Sequence, residues 1–300
     1  MSQSTVLVSS PTKSLTILKD LSQLVKFRLT MMVVFSTGVG FLMATTTNFQ
    51  WISFLILLVS GFLITGAANG INQIIERDLD KLMTRTQNRP IAQGRLSVAQ
   101  ALGLVSVMSF VGVFLLATYI NSIAAIIGGS SLLLYAFVYT PLKQKSSLSV
   151  WIGAIAGAAP PLIGYTAVTG TIDATAWFLF AVQFVWQLPH FWALAWVLND
   201  EYNKAGFFLL PFKSGRSKNS AAITFVSALG LLPLVVISYG MELTSISISI
   251  LLLLATVNFV YQAYQLWQTL ELKAARKLMF GSFYYLPIVQ ILFIIAHYLK

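Results

Sequence analysis

Three oxygen-bearing side chains recur at four-residue intervals in the segment Asn72-Gln-Ile-Ile-Glu76-Arg-Asp-Leu-Asp80. Because a helix turns by about 100° per residue, Asn72, Glu76 and Asp80 would lie within about 80° of one helical face. Two carboxylates and an amide on one face suit a hard divalent cation, and Mg²⁺ prefers one or two carboxylates with water and phosphate oxygens completing its octahedron. The spacing therefore predicts a Mg²⁺ site at these three residues.

Basic side chains follow this cluster directly. Arg85 and Arg89 lie within residues 83–90, and guanidinium groups make forked contacts with phosphate. Carboxylates for a metal beside arginines for an anion predict a diphosphate–magnesium site. The alternative is that such residues are ordinary solvated loop charges, and this is the better interpretation of three neighbours: Arg77, Lys81 and Arg95.

A second polar cluster occupies residues 199–206. Asp200 and Glu201 offer carboxylates for a second metal or water contact, and Lys204 offers an ammonium group for phosphate. Taken alone, this cluster is explained equally well as ordinary loop charge. It supports a binding site only in combination with the first cluster.

A polar stripe crosses the apolar segment 174–198. Gln183, Gln187 and His190 are spaced i, i+4, i+7 and would share one helical face. Pro189 is predicted to kink or break the helix and to free backbone groups that usually line a cavity. A single histidine on an apolar helix is more often a hydrogen-bonded structural residue than a ligand, so both roles stay open for His190.

The overall composition indicates which elements must position these side chains. Of the 300 residues, 57% are hydrophobic, and only 28 are charged, 19 basic and 9 acidic. A soluble chain of this length would carry about 75 charges, and a disordered chain would be poor in apolar residues. The sequence contains no cysteine, which excludes disulfides and thiolate chemistry. The composition therefore predicts an integral membrane protein.

Apolar stretches long enough to cross a bilayer occur nine times. These predicted spans 1 to 9 cover residues 24–44, 51–75, 98–119, 122–140, 148–168, 174–198, 221–239, 244–266 and 280–298. The alternation expected of a membrane β-barrel is absent. We therefore predict an all-α membrane protein with nine transmembrane helices.

The basic residues are distributed unevenly about these spans. Eighteen of the nineteen fall on one side, and only Lys300 falls on the other. By the positive-inside rule, this places the N-terminus in the cytoplasm and the C-terminus outside, so the net charge of +10 does not require nucleic-acid binding. We expect residues 1–20 to form a cytoplasmic tail and residues 21–300 a single domain. The long loops 76–97 and 199–220, which hold five of the nine acids, are expected to form the mouth of its active site.

The first cluster resembles the N-x-x-x-D-x-x-x-D signature of the UbiA-type intramembrane prenyltransferases. Five blocks, in order, are similar more specifically to the protoheme IX farnesyltransferases (heme O synthases) within that family: residues 76–90, 139–143, 157–164, 187–195 and 202–206. Two departures are evident. Glu76 stands where the family usually has Asp, and Tyr202 stands where another acid is expected in the second motif.

The resemblance implies a Mg²⁺-dependent reaction in which farnesyl diphosphate alkylates the 2-vinyl group of protoheme IX. Water then adds, and the products are heme O and diphosphate. It implies catalytic or metal-binding roles for Asn72, Glu76, Asp80, Asp200 and Glu201, with Asp200 a further candidate for the metal. The diphosphate contacts would be Arg85, Arg89, Lys143 and Lys204, and the heme contacts would be His190 and Gln187. Heme would be a substrate and not a cofactor.

The same resemblance implies the surroundings of the protein. Its partners would be farnesyl diphosphate, protoheme IX, the lipid bilayer and a downstream heme O-modifying enzyme or oxidase assembly factors. No Arg/Ser-rich leader is evident in the sequence, which favours a bacterial plasma membrane over the mitochondrial inner membrane.

Two other functions are compatible with parts of the pattern. Another UbiA-type enzyme would prenylate an aromatic acid, a quinone precursor or chlorophyllide. A secondary transporter is the alternative from a different class, but transporters place ionisable residues near the bilayer midplane. Here every acid lies near a predicted span end, which favours the enzyme.

Overall fold

The computed structural model describes residues 13–46 and 48–299, and every regular element in these ranges is helical. Nine helices there are long and apolar enough to cross a membrane, and they define spans 1 to 9: Phe27–Ala44, Trp51–Ile75, Val98–Tyr119, Ser122–Leu142, Ser149–Thr169, Ala174–Val197, Lys218–Gly240, Ile246–Thr269 and Leu272–Tyr298. This confirms the all-α class and the nine spans. The sidedness of the termini stays a prediction.

The largest boundary difference is at span 9. Its helix begins at Leu272, eight residues before the predicted start at residue 280. Lys273, Arg276 and Lys277 lie in this first part. Their charges lower the hydropathy but do not interrupt the helix, since lysine and arginine are good helix formers.

A further helix, Lys13–Leu24, precedes span 1 and occupies part of the predicted tail. Residues 1–12 of that tail lie outside the described residues, as does Lys300. The helix is docked at its C-terminal half, because Leu24 is fully buried and the Asp20 carboxylate accepts hydrogen bonds from Arg95 at 2.9 and 3.0 Å. The segment before span 1 is therefore packed against the loop that follows span 2.

Spans 1 and 5 cross at glycines. A Cβ atom at Gly40 would overlap the carbonyl group of Pro161, and one at Gly164 would overlap the carbonyl group of Thr37. Only glycine permits this approach of two backbones, as is common in membrane helix packing. The crossing packs spans 1 and 5 directly against each other.

Span 4 is not a uniform α-helix. Residues Leu134–Tyr139 form a π-helical segment, a rare conformation that is frequent at functional sites. Thr140 follows it and donates a hydrogen bond from Oγ1 to the Tyr135 carbonyl oxygen at 2.9 Å. The segment sets the direction in which the last turn of span 4 presents Thr140 and Lys143.

The helices of spans 2 and 6 show two local details next to the predicted site residues. The helix of span 2 ends at Ile75, and a short helix Arg77–Asp80 follows. Hydrogen bonds from Glu76 N to Asn72 O, 3.0 Å, and from Asp80 N to Glu76 O, 2.8 Å, continue the helical register across this break. Ala174–Val197 is one helix with Pro189 inside it, which excludes the break; the kink, the other predicted outcome, stays a prediction. Proline removes a single backbone donor, a loss that packing by neighbouring spans compensates in membrane helices.

Candidate active site

Asn72 lies in the last turn of span 2 and is 1% exposed. Its Nδ2 donates to Thr140 Oγ1 at 3.2 Å, and its Oδ1 accepts from Lys26 Nζ at 3.2 Å. Both donor and acceptor of the amide are therefore satisfied, as a polar group at the end of an apolar span requires. These contacts fix the orientation of the amide oxygen.

Glu76 forms an ion pair with Lys143, which follows span 4. Both side chains are buried, and Lys143 Nζ lies 5.0 Å from the ring centres of Tyr139 and Phe207. Burial lowers the pKa of the Lys143 ammonium group, and the neighbouring Glu76 carboxylate opposes this shift. The pair joins the ends of spans 2 and 4.

Asp80 lies on the short helix after span 2 and is 1% exposed. Arg89 Nη1 donates to both carboxylate oxygens, at 2.7 and 2.8 Å. Burial raises the pKa of the Asp80 carboxyl group, and the Arg89 guanidinium opposes this shift. Thr86 Oγ1 donates to the Asp80 backbone carbonyl at 2.9 Å and holds the loop around the carboxylate.

The three predicted metal ligands are thus buried along one side of the span 2 end. Nowhere in residues 13–46 and 48–299 do three or more His, Asp or Glu side chains converge as a metal site. A divalent cation here would use two carboxylates and the Asn72 amide oxygen, with the remaining ligands from water or substrate. This donor set fits Mg²⁺, which commonly combines one or two carboxylates with phosphate oxygens.

Positive charge exceeds negative charge around this cluster. Four basic groups interact electrostatically there: Lys26, Arg85, Arg89 and Lys143. The carboxylates that act on them are those of Glu76 and Asp80. Burial lowers the pKa of Lys26 well below its usual value, and Arg89 and Lys143 lower it further. Lys143 is buried, Lys26 and Arg89 are half-buried and Arg85 is exposed, and an excess of cations at one point favours the binding of an anion.

Lys26 was not among the residues predicted for the site. In the sequence it was counted only among the eighteen basic residues whose distribution predicts the orientation of the protein in the membrane. Its position immediately before the apolar residues of span 1 was the available signal, because that places an ammonium group at the depth where span 2 ends. Its contact with Asn72, 46 residues away, could not be derived from spacing.

The second cluster meets the first loop through Glu201. Its Oε2 accepts from the Thr84 backbone N–H at 2.6 Å, and its Oε1 accepts from Lys204 Nζ, also at 2.6 Å. The hydrogen bond from Lys204 lowers the pKa of the Glu201 carboxyl group. The loops 76–97 and 199–220 are thereby in contact, and the Phe208 N–H bonded to the Lys143 carbonyl oxygen at 2.8 Å adds the loop after span 4.

Asp200 is placed differently. Its side chain is 75% exposed, and its carboxylate pairs with Arg216 at 3.1 Å. The structure does not bring it beside Glu76 and Asp80, so its role as a metal ligand stays a prediction. Arg85 is exposed and makes no ion pair with a carboxylate of the described chain, which leaves its guanidinium group available.

The polar residues of span 6 divide between two neighbours. His190 Nδ1 lies 2.7 Å from Ser282 Oγ of span 9, and its ring stacks on Trp186 at 4.8 Å. Gln187 is buried beside Gly157 of span 5, whose lack of a Cβ makes room for its amide. His190 and Gln187 therefore occupy different interfaces of the same helix.

Comparison with known proteins places this arrangement in a family. Residues 33–285 match the UbiA prenyltransferase family. The chain belongs to that family. This confirms the resemblance drawn from the sequence blocks. A relative named protoheme IX farnesyltransferase in Cytophaga hutchinsonii is 47% identical over 273 residues, which cover 91% of this chain and 96% of the relative.

Solved structures share the UbiA fold at lower identity. A structure described for digeranylgeranylglyceryl phosphate synthase has a TM-score of 0.79 at 19% identity and covers 94% of this chain and 99% of its own. A UbiA homologue from Archaeoglobus fulgidus bound to GPP and Mg²⁺ has a TM-score of 0.75 at 17% identity and covers 93% and 98%. At these identities the likeness establishes the fold.

Proposed function

We propose that this protein transfers the farnesyl group of farnesyl diphosphate to the 2-vinyl group of protoheme IX, with addition of water, to form heme O and diphosphate. The observation that supports protoheme IX as the acceptor is the 47% identity to the Cytophaga hutchinsonii protoheme IX farnesyltransferase over nearly the full length of both chains. The buried cluster of carboxylates and cations at the ends of spans 2 and 4 supports a diphosphate donor.

Asn72, Glu76 and Asp80 would hold Mg²⁺ at this cluster. The UbiA homologue from Archaeoglobus fulgidus, which has the same fold, binds GPP and Mg²⁺, and the donor set here fits the same ion. When bound, Mg²⁺ neutralises charge on the leaving diphosphate. The other contacts to the diphosphate would come from side chains of this protein.

Arg85, Arg89, Lys143 and Lys204 supply the positive charge that a departing diphosphate requires. Lys143 is buried and Arg89 is half-buried, and they pair with Glu76 and Asp80, so their charges are screened less than surface charges and are oriented before the substrate arrives. Arg85 is exposed and Lys204 is half exposed, which suits contacts made at the entrance. These cations stabilise the diphosphate as it departs and so favour breaking of the bond between the allylic carbon and the diphosphate oxygen.

Glu201 acts in this proposal by joining the loops. Its hydrogen bond with the Thr84 N–H fixes the first loop next to Arg85, the adjacent residue. Asp200 has its own partner in Arg216, and a metal contact from its carboxylate stays a prediction. The loops 76–97 and 199–220 together would form the active-site mouth.

His190 is the proposed heme contact, with Gln187 lining the neighbouring interface. Ser282 Oγ donates to the Met279 carbonyl oxygen at 2.5 Å, so it accepts from His190, and the hydrogen-bond network assigns the proton to Nδ1. The Nε2 lone pair is then available for iron, the usual ligand role of a neutral imidazole. Gln187 would contact the porphyrin edge.

We place the enzyme in a bacterial plasma membrane, with its substrates reaching it from the bilayer. The support is the multi-pass fold and the bacterial source of its relative in Cytophaga hutchinsonii. A heme O-modifying enzyme or an oxidase assembly factor would receive the product, because heme O is too apolar to diffuse through water.

The decisive experiment uses the purified protein in lipid nanodiscs with protoheme, farnesyl diphosphate and Mg²⁺. We expect heme O, identified by mass and by its absorption spectrum. A parallel reaction offers 4-hydroxybenzoate as the acceptor. Prenylation of the aromatic acid alone would make the protein a different UbiA-type prenyltransferase, and gradient-driven uptake without product would support the transporter.

A further inference from the structure

The chain turns sharply between the N-terminal helix Lys13–Leu24 and span 1. Lys26 occupies this turn in the left-handed backbone conformation, with φ 48° and ψ 57°. Left-handed backbone costs a residue with a Cβ about 1–2 kcal/mol relative to ordinary helical backbone. Glycine would adopt the same angles without this penalty, so the presence of lysine requires a reason.

One side chain of span 2 and one of span 1 hold the turn in place. Gln73 Nε2 donates to the carbonyl oxygens of Gln23 and Leu24 at 2.9 and 2.7 Å, which caps the end of the N-terminal helix. On the other side of the turn, Thr30 Oγ1 donates to the Val25 carbonyl oxygen at 2.6 Å. Strained residues persist where their surroundings over-determine them, and such residues gather at functional sites.

The side chain of Lys26 is directed at the proposed metal site. Its Nζ donates to Asn72 Oδ1 at 3.2 Å. Glu76 is paired with Lys143 and Asp80 with Arg89, so both carboxylates of the cluster already have cationic partners. Among the residues that the structure describes, Lys26 forms no ion pair of its own, so its ammonium group adds positive charge to a cluster whose carboxylates are already paired.

A purely structural role does not account for this placement. A neutral side chain can hydrogen-bond to the Asn72 amide, and glycine would relieve the backbone. What lysine adds is a positive charge at a point already rich in cations, and such a charge is favourable only when an anion occupies the same point.

The geometry points to Lys26 as a further contact to the substrate diphosphate, delivered to the site by the strained turn that span 2 holds. In this role Nζ binds a diphosphate oxygen while Asn72 Oδ1 is free to bind the metal. Lys26 takes this role only if the protein uses a prenyl diphosphate, as proposed above.

The test measures binding without turnover. The full-length protein in nanodiscs is titrated with farnesyl thiolodiphosphate, an analogue that ionises very slowly, and separately with inorganic diphosphate, both with Mg²⁺. For Lys26→Gln we expect affinity for both ligands to fall by about tenfold or more, since a charge-assisted hydrogen bond is lost. Lys26→Arg should keep most of the affinity. Arg28→Gln, an exposed neighbour two residues later, is the matched control and should stay within about twofold of wild type.

A second variant separates binding from folding. Lys26→Gly removes the side chain and relieves the backbone, so we expect its unfolding temperature to be no lower than that of wild type while diphosphate affinity falls as for Lys26→Gln. Unchanged affinity in Lys26→Gln, or equal losses in Lys26→Gln and Lys26→Arg, would overturn the role of the charge. If wild type makes heme O in either of these cases, only the role of Lys26 fails. If wild type binds neither ligand, the proposed function fails with it.

Discussion

Arg89 Nη1 lies 2.7 Å from Oδ1 and 2.8 Å from Oδ2 of Asp80, so a single guanidinium nitrogen contacts both oxygens of the carboxylate. The two side chains are 15% and 1% exposed. Removing one partner of such a pair leaves the other charge buried without compensation, which costs more than the pair itself contributes. Asp80 therefore affects both the charge of the site and the stability of its loop.

We expect Asp80→Asn to reduce farnesyl transfer by roughly 10²-fold or more, because one of two carboxylates for the metal is lost. Unfolding free energy should fall by about 2 kcal/mol as Arg89 loses its partner. The double variant Asp80→Asn with Arg89→Gln should recover most of the stability and none of the turnover. Turnover at the wild-type rate in the single variant, measured as heme O formed per minute, would contradict the metal site.

Substitutions at Glu76 separate charge from side-chain length. Glu76→Asp keeps the carboxylate that pairs with Lys143 and restores the usual family residue, so it should be tolerated far better than Glu76→Gln. Glu76→Gln should lose roughly 10²-fold in turnover, since the metal loses a charged ligand and Lys143 loses its partner. The measurement is the Mg²⁺ concentration dependence of turnover. Equal losses in the two variants would exclude a role for the carboxylate.

Metal removal tests the same cluster without substitution. Chelation of divalent cations with EDTA should stop farnesyl transfer, and Mg²⁺ added in excess should restore it. Ca²⁺ should restore little, because it prefers more ligands at longer distances than this three-residue set offers. Continued heme O formation in EDTA would show that the basic residues alone stabilise the departing diphosphate.

Sequence patterns were sufficient for the spans and for placing Asn72, Glu76 and Asp80 together at the end of span 2, because hydropathy and helical spacing act locally; that these residues hold a metal stays a prediction. They were insufficient for pairings between distant parts of the chain. The contacts of Glu76 with Lys143 and of Lys26 with Asn72 join different spans and depend on how the helices pack. The break after Ile75 and the continuity through Pro189 likewise depend on neighbouring helices, which override local propensity.

The contact between loops can be tested at Glu201. Glu201→Gln should weaken the hydrogen bond with the Thr84 N–H, so amide hydrogen exchange in residues 83–90 should accelerate. The Michaelis constant for farnesyl diphosphate should rise as Arg85 becomes less ordered. Asp200→Asn is the matched control for the loop contact, since its carboxylate pairs with Arg216, and it should leave hydrogen exchange in residues 83–90 unchanged. A loss of Mg²⁺-dependent turnover in Asp200→Asn alone would instead favour the predicted metal role of Asp200.

The heme contact makes a separate prediction. His190→Ala should weaken protoheme binding and shift its absorption spectrum, while affinity for farnesyl thiolodiphosphate stays unchanged. Ser282→Ala leaves the imidazole in place but removes the acceptor for Nδ1–H, so it should produce a smaller loss, of about threefold to tenfold, typical of a neutral hydrogen bond. A spectrum of bound protoheme identical in wild type and His190→Ala would rule out iron ligation by this residue.

The π-helical segment Leu134–Tyr139 has a consequence for the direction of the side chains that follow it. A π-helix holds one residue more than an α-helix over the same hydrogen-bonded turn. If the same residues formed regular α-helix instead, the extra residue would no longer be absorbed in a wide turn, and everything beyond it would rotate by about 100°. Span 4 would still cross the membrane, yet Thr140 and Lys143 would turn away from Asn72 and Glu76. A substitution that drives this segment into regular α-helix is therefore expected to displace the site without breaking the span.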